Sequence, residues 1–357
     1  MTQQDGVYSA ATIFTGTEWL EGHSIVVEGG WIREMVPTHK LLIPSTKEVD
    51  CLVPAFIDVQ IYGAHEKLFS VFPEVDALQK LHRYCTEGGA YYFLPTVATN
   101  TNEVIHACID AIRQYWQQGG KGCIGLHIEG PWINAEKRGA HKATIIHAPT
   151  VDEVRHLLDY GNGVVKMITL APEICSKEVV ALIKSYGVVV SAGHSNATYN
   201  EAMQSFDEGH ITTITHLYNA MSPLQHRQPG LVGAAFNHTG IMASIIPDGH
   251  HVDFAAIKIA KQVMKERLFV ITDAVTETDT GFYPHQLAGD KYESNHILSG
   301  SALTMEKAVR NLVQHCGIQL EEALRMCSLY PAQVLGLDNE LGKIEKGFKA
   351  AFVEWAD

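Results

Sequence analysis

Four apolar stretches of the sequence each lead into a residue that can bind a metal ion or transfer a proton. These residues are Glu129, His194, His216 and Asp273. Two imidazoles and one carboxylate form a three-ligand set suited to Zn²⁺ or a similar divalent ion, with one position left for water. Such an ion lowers the pKa of its water towards about 7 and can polarise a carbonyl oxygen. Asp273 is then free to take the water proton and deliver it to a leaving nitrogen.

The elements that must position these residues alternate between strands and helices. Near-continuous apolar strands separated by helical patterns predict a parallel sheet covered on both sides. Eight such units predict an α/β fold built on a closed (β/α)8 TIM-type barrel. No Gly-x-Gly-x-x-Gly motif follows the first strand, which disfavours a nucleotide-binding sheet. The predicted strands span residues 52–59, 91–97, 123–128, 164–170, 188–192, 211–215, 242–246 and 268–272.

Both ends of the chain predict a second, smaller layer of strands. Residues 7–36 contain short alternating or β-branched runs broken by glycine, a pattern typical of antiparallel hairpins. Residues 341–355 again have strand character, so the chain is expected to return to the N-terminal layer. We therefore expect a metal-dependent barrel at residues 51–335. The small β-sandwich would be built from residues 1–50 and 336–357.

In a barrel of this type the carboxyl ends of all strands open on one face, where active sites lie. The four residues are expected to follow the third, fifth, sixth and eighth strands and so to meet there. Each has a structural interpretation when taken alone, as a histidine bonded to backbone or a carboxylate that caps a helix. For the four together, a shared catalytic site is the preferred interpretation.

Charge and composition exclude several classes of partner. The formal net charge of -13 argues against nucleic acid and acidic membrane surfaces. No apolar run approaches the roughly 20 residues of a membrane span, and the N-terminus lacks the pattern of a signal peptide. The 7 cysteines are scattered and form no CxxC pair. Reduced thiols in a cytoplasmic protein are therefore expected.

A second group of candidate residues is basic. Arg227 and His251 follow the sixth and seventh strands, in loops that contain glycine and proline. Loops near this part of a barrel often bind phosphate, and the Arg side chain donates a fork of hydrogen bonds to oxyanions. We interpret Arg227 and His251 as anion-binding residues. Lys137 and Arg138, which follow the third strand, are interpreted as a solvated charged loop.

Six motifs, in order along the chain, closely resemble the N-acetylglucosamine-6-phosphate deacetylases of the amidohydrolase superfamily. They are GLHIEGPWIN, SAGHSNAT, THLYNAMSPL, DGHHVD, ITDAV and LSGSALTM. The resemblance covers about residues 54–347. It implies hydrolysis of the N-acetyl group of N-acetylglucosamine 6-phosphate to glucosamine 6-phosphate and acetate. It also implies a homodimer, because the phosphate pocket of this family usually borrows residues from a neighbouring subunit.

The resemblance implies a role for each candidate site residue. Glu129, His194 and His216 would hold the metal ion, Asp273 would be the general base and acid, and His141 would help to polarise the acetyl carbonyl. The residues that would receive the sugar phosphate are Asn219, Ala220, Arg227 and His251. The residues that would contact the substrate through backbone atoms are Ala140, Leu298, Ser299 and Gly300.

One departure from the superfamily pattern concerns the metal. Many members carry His-x-His after the first strand, whereas this chain has Gln60 and Tyr62 there. Amide and phenol oxygens are poorer ligands for a borderline-soft ion, so we predict one tightly bound ion rather than two. Zn²⁺ is the expected ion, and Fe²⁺ tolerates the same ligands. Gln60 is expected to be a neighbour of the site, and His65 to lie on the surface.

Two other hypotheses remain open. A sister hydrolase, such as a cyclic amidase or another N-acyl amino sugar deacetylase, would keep the metal ligands but have no use for Arg227 and His251. A non-enzymatic member of the fold should have lost the ligands or Asp273, and this sequence retains both. The sequence also leaves open the N-acetylgalactosamine and N-acetylmannosamine phosphates as substrates.

Overall fold

A computed structural model describes residues 4–41, 44–294 and 297–356. The strands in these ranges are β1 (Gly6–Phe14), β2 (Trp19–Glu28), β3 (Trp31–Pro37), β4 (Lys47–Pro54), β5 (Phe56–Ile61), β6 (Gly63–Ala64), β7 (Lys67–Leu68), β8 (Ala90–Ala98), β9 (Leu126–Glu129), β10 (Val165–Leu170), β11 (Val189–Ala192), β12 (Thr213–Ile214), β13 (Met242–Ile245), β14 (Leu268–Val270), β15 (Gln286–Ala288), β16 (Lys291–Ser294), β17 (Ile297–Ser301) and β18 (Phe352–Glu354). The α-helices are α1 (Val75–Glu87), α2 (Asn102–Gln117), α3 (Val151–Tyr160), α4 (Lys177–Ser185), α5 (Tyr199–Asp207), α6 (Gly230–Asn237), α7 (Phe254–Met264), α8 (Met305–Gln314), α9 (Leu320–Cys327) and α10 (Leu329–Val334).

Eight parallel strands form the barrel, in the order β5, β8, β9, β10, β11, β12, β13, β14. Backbone hydrogen bonds join the first and last of them. The N–H of Asp273 donates to the carbonyl of Gln60 at 3.0 Å, and that of Tyr62 donates to Ala274 at 2.9 Å. The predicted α/β fold with a (β/α)8 barrel and a small β domain is confirmed. Since the strands are parallel, their carboxyl ends open on one face.

The small β domain contains a five-stranded sheet in the order β18, β4, β1, β2, β3. Only β1 and β4 are parallel neighbours in it. Its core is a hydrophobic cluster separate from that of the barrel and includes Tyr8, Ile25 and Phe352. Strand β18 brings the end of the chain back to the N-terminal strands, as the sequence pattern indicates. The domain boundaries at 50/51 and 335/336 stay a prediction.

The prediction of one strand over residues 52–59 is wrong in its bounds. Strand β4 ends at Pro54 in the small sheet, and β5 begins at Phe56 in the barrel. Leu52 is buried in the small core and Phe56 in the barrel core. Because both sheets bury this run, its hydrophobicity is continuous across the change of sheet. Apolar periodicity alone cannot locate such a boundary.

Strands β15–β17 form a separate antiparallel sheet after the last barrel strand. The sequence pattern does not predict this sheet, because its strands are short and only partly buried. The helices between barrel strands follow the expected pattern. The predicted capping box that opens α5 is confirmed, with Thr198 and Glu201 bonded reciprocally. Across the described ranges, no helix is both long and apolar enough to cross a membrane.

Asp58 joins the two strands at which the barrel closes. Its buried carboxylate accepts hydrogen bonds from the backbone N–H groups of Gln60 at 3.2 Å and Thr272 at 3.3 Å, and from the Thr272 hydroxyl. Thr272 directly precedes Asp273. The contacts of Asp58 therefore fix the backbone on both sides of the closure, where Gln60 and Asp273 lie.

The stability of this closure is expected to depend on pH. Burial raises the pKa of Asp58 from 3.8 to about 7. A group with a raised folded-state pKa stabilises the fold below its unfolded pKa, and this contribution is lost as the pH rises through the folded value. Relative to Asp58→Asn, the wild type should lose up to about 1.4 kcal/mol of stability per pH unit between roughly pH 4 and 7, then level off.

Scanning calorimetry across this pH range measures the difference in thermal midpoint between the wild type and Asp58→Asn. Asp338→Asn, which replaces an exposed carboxylate, is the matched control. A midpoint difference for Asp58→Asn that does not change with pH would contradict the assignment.

Candidate active site

The carboxyl ends of the barrel strands bring the predicted residues together. Glu129 is the last residue of β9, while His194, His216 and Asp273 lie two or three residues beyond β11, β12 and β14. The backbone φ angles of these three residues are 46°, 36° and 55°. Non-glycine residues seldom adopt positive φ, and such strain clusters at functional sites. The chain therefore turns sharply as it leaves each of these strands.

The carboxylate of Glu129 lies at the centre of the cluster and is buried. Its Oε1 atom lies 3.0 Å from Nε2 of His216 and 3.2 Å from Nε2 of His194. The two Nε2 atoms are 3.1 Å apart. Nε2 of His141 lies 3.3 Å from the other oxygen, Oε2. Burial opposes ionisation of Glu129, but the neighbouring imidazoles, chiefly His194, hold its pKa well below the ordinary value.

The tautomer of His194 makes this arrangement suitable for a cation. Its Nδ1 lies 2.9 Å from the carbonyl oxygen of Lys137, which can only accept, so Nδ1 carries the proton. In the neutral ring Nε2 then presents a lone pair to an oxygen of Glu129. Two lone pairs at 3.2 Å repel unless a positive charge lies between them. Metal ligands of this kind are typically held by such a bond from the other ring nitrogen.

The separations within the cluster also fit one small ion. Ligand atoms about 2.0–2.2 Å from a tetrahedral ion lie roughly 3.3–3.6 Å from one another. Oε1 of Glu129 and the Nε2 atoms of His194 and His216 are only slightly closer to one another, at 3.0, 3.1 and 3.2 Å. Glu129, His141 and His194 also offer ligand atoms that lie within 4.8 Å of one another. Both candidate ligand sets share Glu129 and His194, and they differ in whether His216 or His141 is the third member.

Gln60 lies against the cluster, where the sequence places it. Its amide nitrogen is 3.1 Å from Oε1 of Glu129 and 2.9 Å from Oδ1 of Asp273. Carboxylates accept hydrogen bonds, so the nitrogen rather than the oxygen of the amide must face them. The Tyr62 hydroxyl accepts from Gln60 at 2.7 Å and donates to Oε2 of Glu129. The end of the first barrel strand, β5, and the residue after it therefore supply hydrogen-bond donors to the carboxylates of Glu129 and Asp273.

Asp273 is linked through an imidazole to a second aspartate. Its Oδ2 lies 3.8 Å from Nε2 of His251, whose Nδ1 is 2.6 Å from Oδ2 of Asp248. Burial raises the pKa of Asp273, although the nearby His251 and His216 oppose that rise. A buried carboxyl with a raised pKa is of the kind that can serve as an acid or a base.

A cavity of about 330 Å³ opens above the cluster. The predicted residues that line it are Glu129, Ala140, His141, His194, His216, Asn219, Ala220, His251, Asp273, Leu298 and Ser299. Gly300 and Gln60 are buried and do not line it. Arg227 is exposed on the loop after β12 and does not line the cavity of its own chain.

Several lining residues were not predicted. Tyr283 and His285 come from the segment between β14 and β15. The one sequence signal that could have identified them is the pair of ring side chains on either side of Pro284, within a polar stretch. Lys137, expected in a solvated loop, is instead half-buried in the cavity wall, and its carbonyl orients His194. His65 is exposed, as expected.

Comparison with known proteins agrees with this architecture. Residues 51–357 match the amidohydrolase family, and residues 9–46 match the NagA composite domain. The chain belongs to the amidohydrolase family. The resemblance seen in the sequence motifs is thereby confirmed.

Relatives in the amidohydrolase family include enzymes for two amino-sugar phosphates. The N-acetylglucosamine-6-phosphate deacetylase of Haemophilus influenzae is 32% identical over 350 residues, covering 94% of this chain and 91% of the relative. The N-acetylgalactosamine-6-phosphate deacetylase of Escherichia coli O157:H7 is 32% identical, covering 97% and 94%. The crystal structure of N-acetylglucosamine-6-phosphate deacetylase from Pasteurella multocida has a TM-score of 0.91 at 34% identity, covering 97% of this chain and 94% of that one.

The cluster is expected to bind about one divalent ion per chain. His216→Ala should lose most of the metal, because only two protein ligands would remain. His65→Ala removes an exposed imidazole outside the cluster and is the matched control. Elemental analysis after chelation and reloading measures the stoichiometry. Full retention in His216→Ala together with loss in His141→Ala would show that His141 is the third ligand instead.

Proposed function

We propose that the protein hydrolyses the N-acetyl group of N-acetylglucosamine 6-phosphate to glucosamine 6-phosphate and acetate, in amino-sugar catabolism. One divalent ion would be held by Glu129, His194 and His216. Zn²⁺ is the expected ion and Fe²⁺ the alternative. The observation that carries the proposal is the convergence of these ligands and a buried carboxyl, Asp273, in one cavity. His216 is preferred to His141 as a ligand because it shares Oε1 of Glu129 with His194.

Asp273 would act as both base and acid. The bound ion would supply a water of lowered pKa and polarise the acetyl oxygen. Asp273 would accept the water proton and return it to the leaving nitrogen, a role favoured by the raised pKa that burial gives it. The hydrogen bond from Gln60 at 2.9 Å holds Oδ1, which leaves Oδ2 to exchange the proton.

His141 would donate a hydrogen bond to the acetyl oxygen. Burial lowers the pKa of His141 to about 4, so the ring is neutral at neutral pH. A neutral ring donates from Nε2 only if Nδ1 accepts, and the Thr99 hydroxyl lies 2.7 Å from Nδ1. Thr99 would thus select the tautomer that makes His141 a donor, as neighbours of catalytic imidazoles commonly do.

The phosphate would be received beside the loops after β12 and β13. Asn219, Ala220 and His251 line the cavity there, while Ala140, Leu298 and Ser299 would contact the sugar. Arg227 lies outside the cavity of its own chain, so its proposed contact with phosphate requires the cavity of a neighbouring subunit. We therefore include a homodimer in the proposal. The cysteines form no disulfide bond within the described residues, which supports a cytoplasmic location.

A second candidate substrate is N-acetylgalactosamine 6-phosphate. Deacetylases named for this sugar from Escherichia coli and Shewanella are 32% and 33% identical to the chain. The two substrates differ only in the orientation of the C4 hydroxyl, and both would use the same metal ligands and Asp273.

Acetate release tests the dependence of the proposed reaction on the phosphate and on the metal. The protein should release acetate from the 6-phosphorylated sugar far faster than from N-acetylglucosamine itself, and a chelator should abolish turnover until the metal is restored. Phosphate-independent or chelator-insensitive hydrolysis would contradict the proposal.

Asp273→Asn is the decisive variant in this assay. It should keep its bound metal yet lose about 10²–10⁴-fold in kcat, the usual contribution of a general acid–base group. Asp338→Asn serves as the exposed control. Loss of metal in Asp273→Asn would make Asp273 a ligand and overturn its assigned role.

A further inference from the structure

One wall of the cavity is formed by residues 283–285 and strand β17, and it takes no part in the proposed proton transfers. It contributes four lining residues, Tyr283, His285, Leu298 and Ser299. The Tyr283 hydroxyl already donates to the carbonyl of Thr99, and Leu298 is apolar. The polar groups of this wall that remain for a ligand are therefore those of His285 and Ser299.

His285 is held firmly in place although it lies in a loop. Its backbone N–H and carbonyl both bond to Thr278, at 2.9 and 3.1 Å. Its side chain is buried, and Nδ1 lies 2.8 Å from Oγ of Ser299. The opposite ring nitrogen, Nε2, makes no hydrogen bond to any residue within the described ranges. A buried imidazole on a cavity wall, anchored through one nitrogen, thus has the other available for a ligand.

The charge state of His285 indicates what kind of group it would bind. Burial lowers its pKa to about 4, so the imidazole is neutral at neutral pH. A neutral ring has one donor and one acceptor nitrogen, and the Ser299 hydroxyl can serve either tautomer. The pair suits a neutral group that both donates and accepts. It does not suit the phosphate, which prefers a cationic partner.

The position of the pair matches the middle of the substrate. The backbone N–H of Ser301, at the end of β17, donates to the carbonyl of Asp273 at 3.0 Å, so this strand runs beside the reacting carboxyl. In the proposed pose the acetamido group lies at Asp273 and the phosphate at Asn219 and Ala220. The sugar ring then spans the space between them, with its free hydroxyls available to the wall that contains His285 and Ser299.

We infer that His285, oriented by Ser299, is a specificity-determining residue that hydrogen bonds a free ring hydroxyl of the amino-sugar phosphate. The inference rests on the proposed function and extends it from the reacting group to the sugar. A pocket that pairs a buried polar group with a substrate hydroxyl discriminates against analogues in which that hydroxyl is absent or inverted, because its own polar group is then left unpaired. His285 would accordingly discriminate between sugars that differ at the hydroxyl it binds.

The test compares the metal-loaded wild type with His285→Leu and His285→Gln. The substrates are the 6-phosphates of N-acetylglucosamine and N-acetylgalactosamine and the 3-deoxy and 4-deoxy forms of the preferred sugar. For the preferred sugar, His285→Leu should lose about 10–100-fold in kcat/KM, the cost of one unpaired buried group. For the analogue that lacks the bound hydroxyl, the variant and the wild type should agree within about twofold. His285→Gln, which can still donate and accept, should recover part of the loss.

The alternative outcomes are distinct. An equal loss on every analogue, or no loss on any, would overturn the inference while leaving the proposed function intact. If the wild type hydrolyses none of the phosphorylated sugars, the proposed function fails and the inference fails with it. Metal content and the thermal midpoint of each variant establish that it is folded and loaded.

Discussion

The buried carboxylate of Glu129 is the constraint on which the site depends. An ionised group removed from water is costly unless charges and hydrogen bonds compensate it. Gln60 and Tyr62 donate to it, and His194 and His216 present Nε2 atoms to its Oε1. The carbonyl of Lys137 takes the Nδ1 proton of His194, so in the neutral ring Nε2 turns a lone pair towards the carboxylate. A carboxylate oxygen and an imidazole lone pair that face each other suit a cation held between them.

The barrel supplies the means of bringing these groups together. Glu129, His194, His216 and Asp273 are far apart in the sequence, yet they stand at the carboxyl ends of one ring of parallel strands. Three of them sit in left-handed backbone conformations, which the rigid sheet on one side and the packed helices on the other can sustain. Closure between the first and eighth strands places Gln60 beside Asp273, so the joint that completes the barrel also supports the proposed acid–base group.

Much of this could be predicted from the sequence because it depends on local pattern. Eight apolar runs specified the barrel, and the residue types at their ends specified the cluster around Glu129. The change of sheet near Pro54 could not be located, because both cores bury the same run. The β15–β17 sheet was not predicted, because its short, partly buried strands have little apolar periodicity. Tyr283 and His285, which directly precede this sheet, were missed with it. Lys137 was misjudged because a backbone carbonyl has no signature in the sequence.

The cation itself is the most direct test of the account. Diffraction data collected at the absorption edge of the metal, from crystals of the loaded protein, locate the ion independently of any assumption about its ligands. The account predicts one anomalous peak, about 2.0–2.2 Å from Nε2 of His194, Nε2 of His216 and a carboxylate oxygen of Glu129, with Asp273 beyond bonding distance. A peak away from these strand ends, or one bonded directly to Asp273, would contradict it.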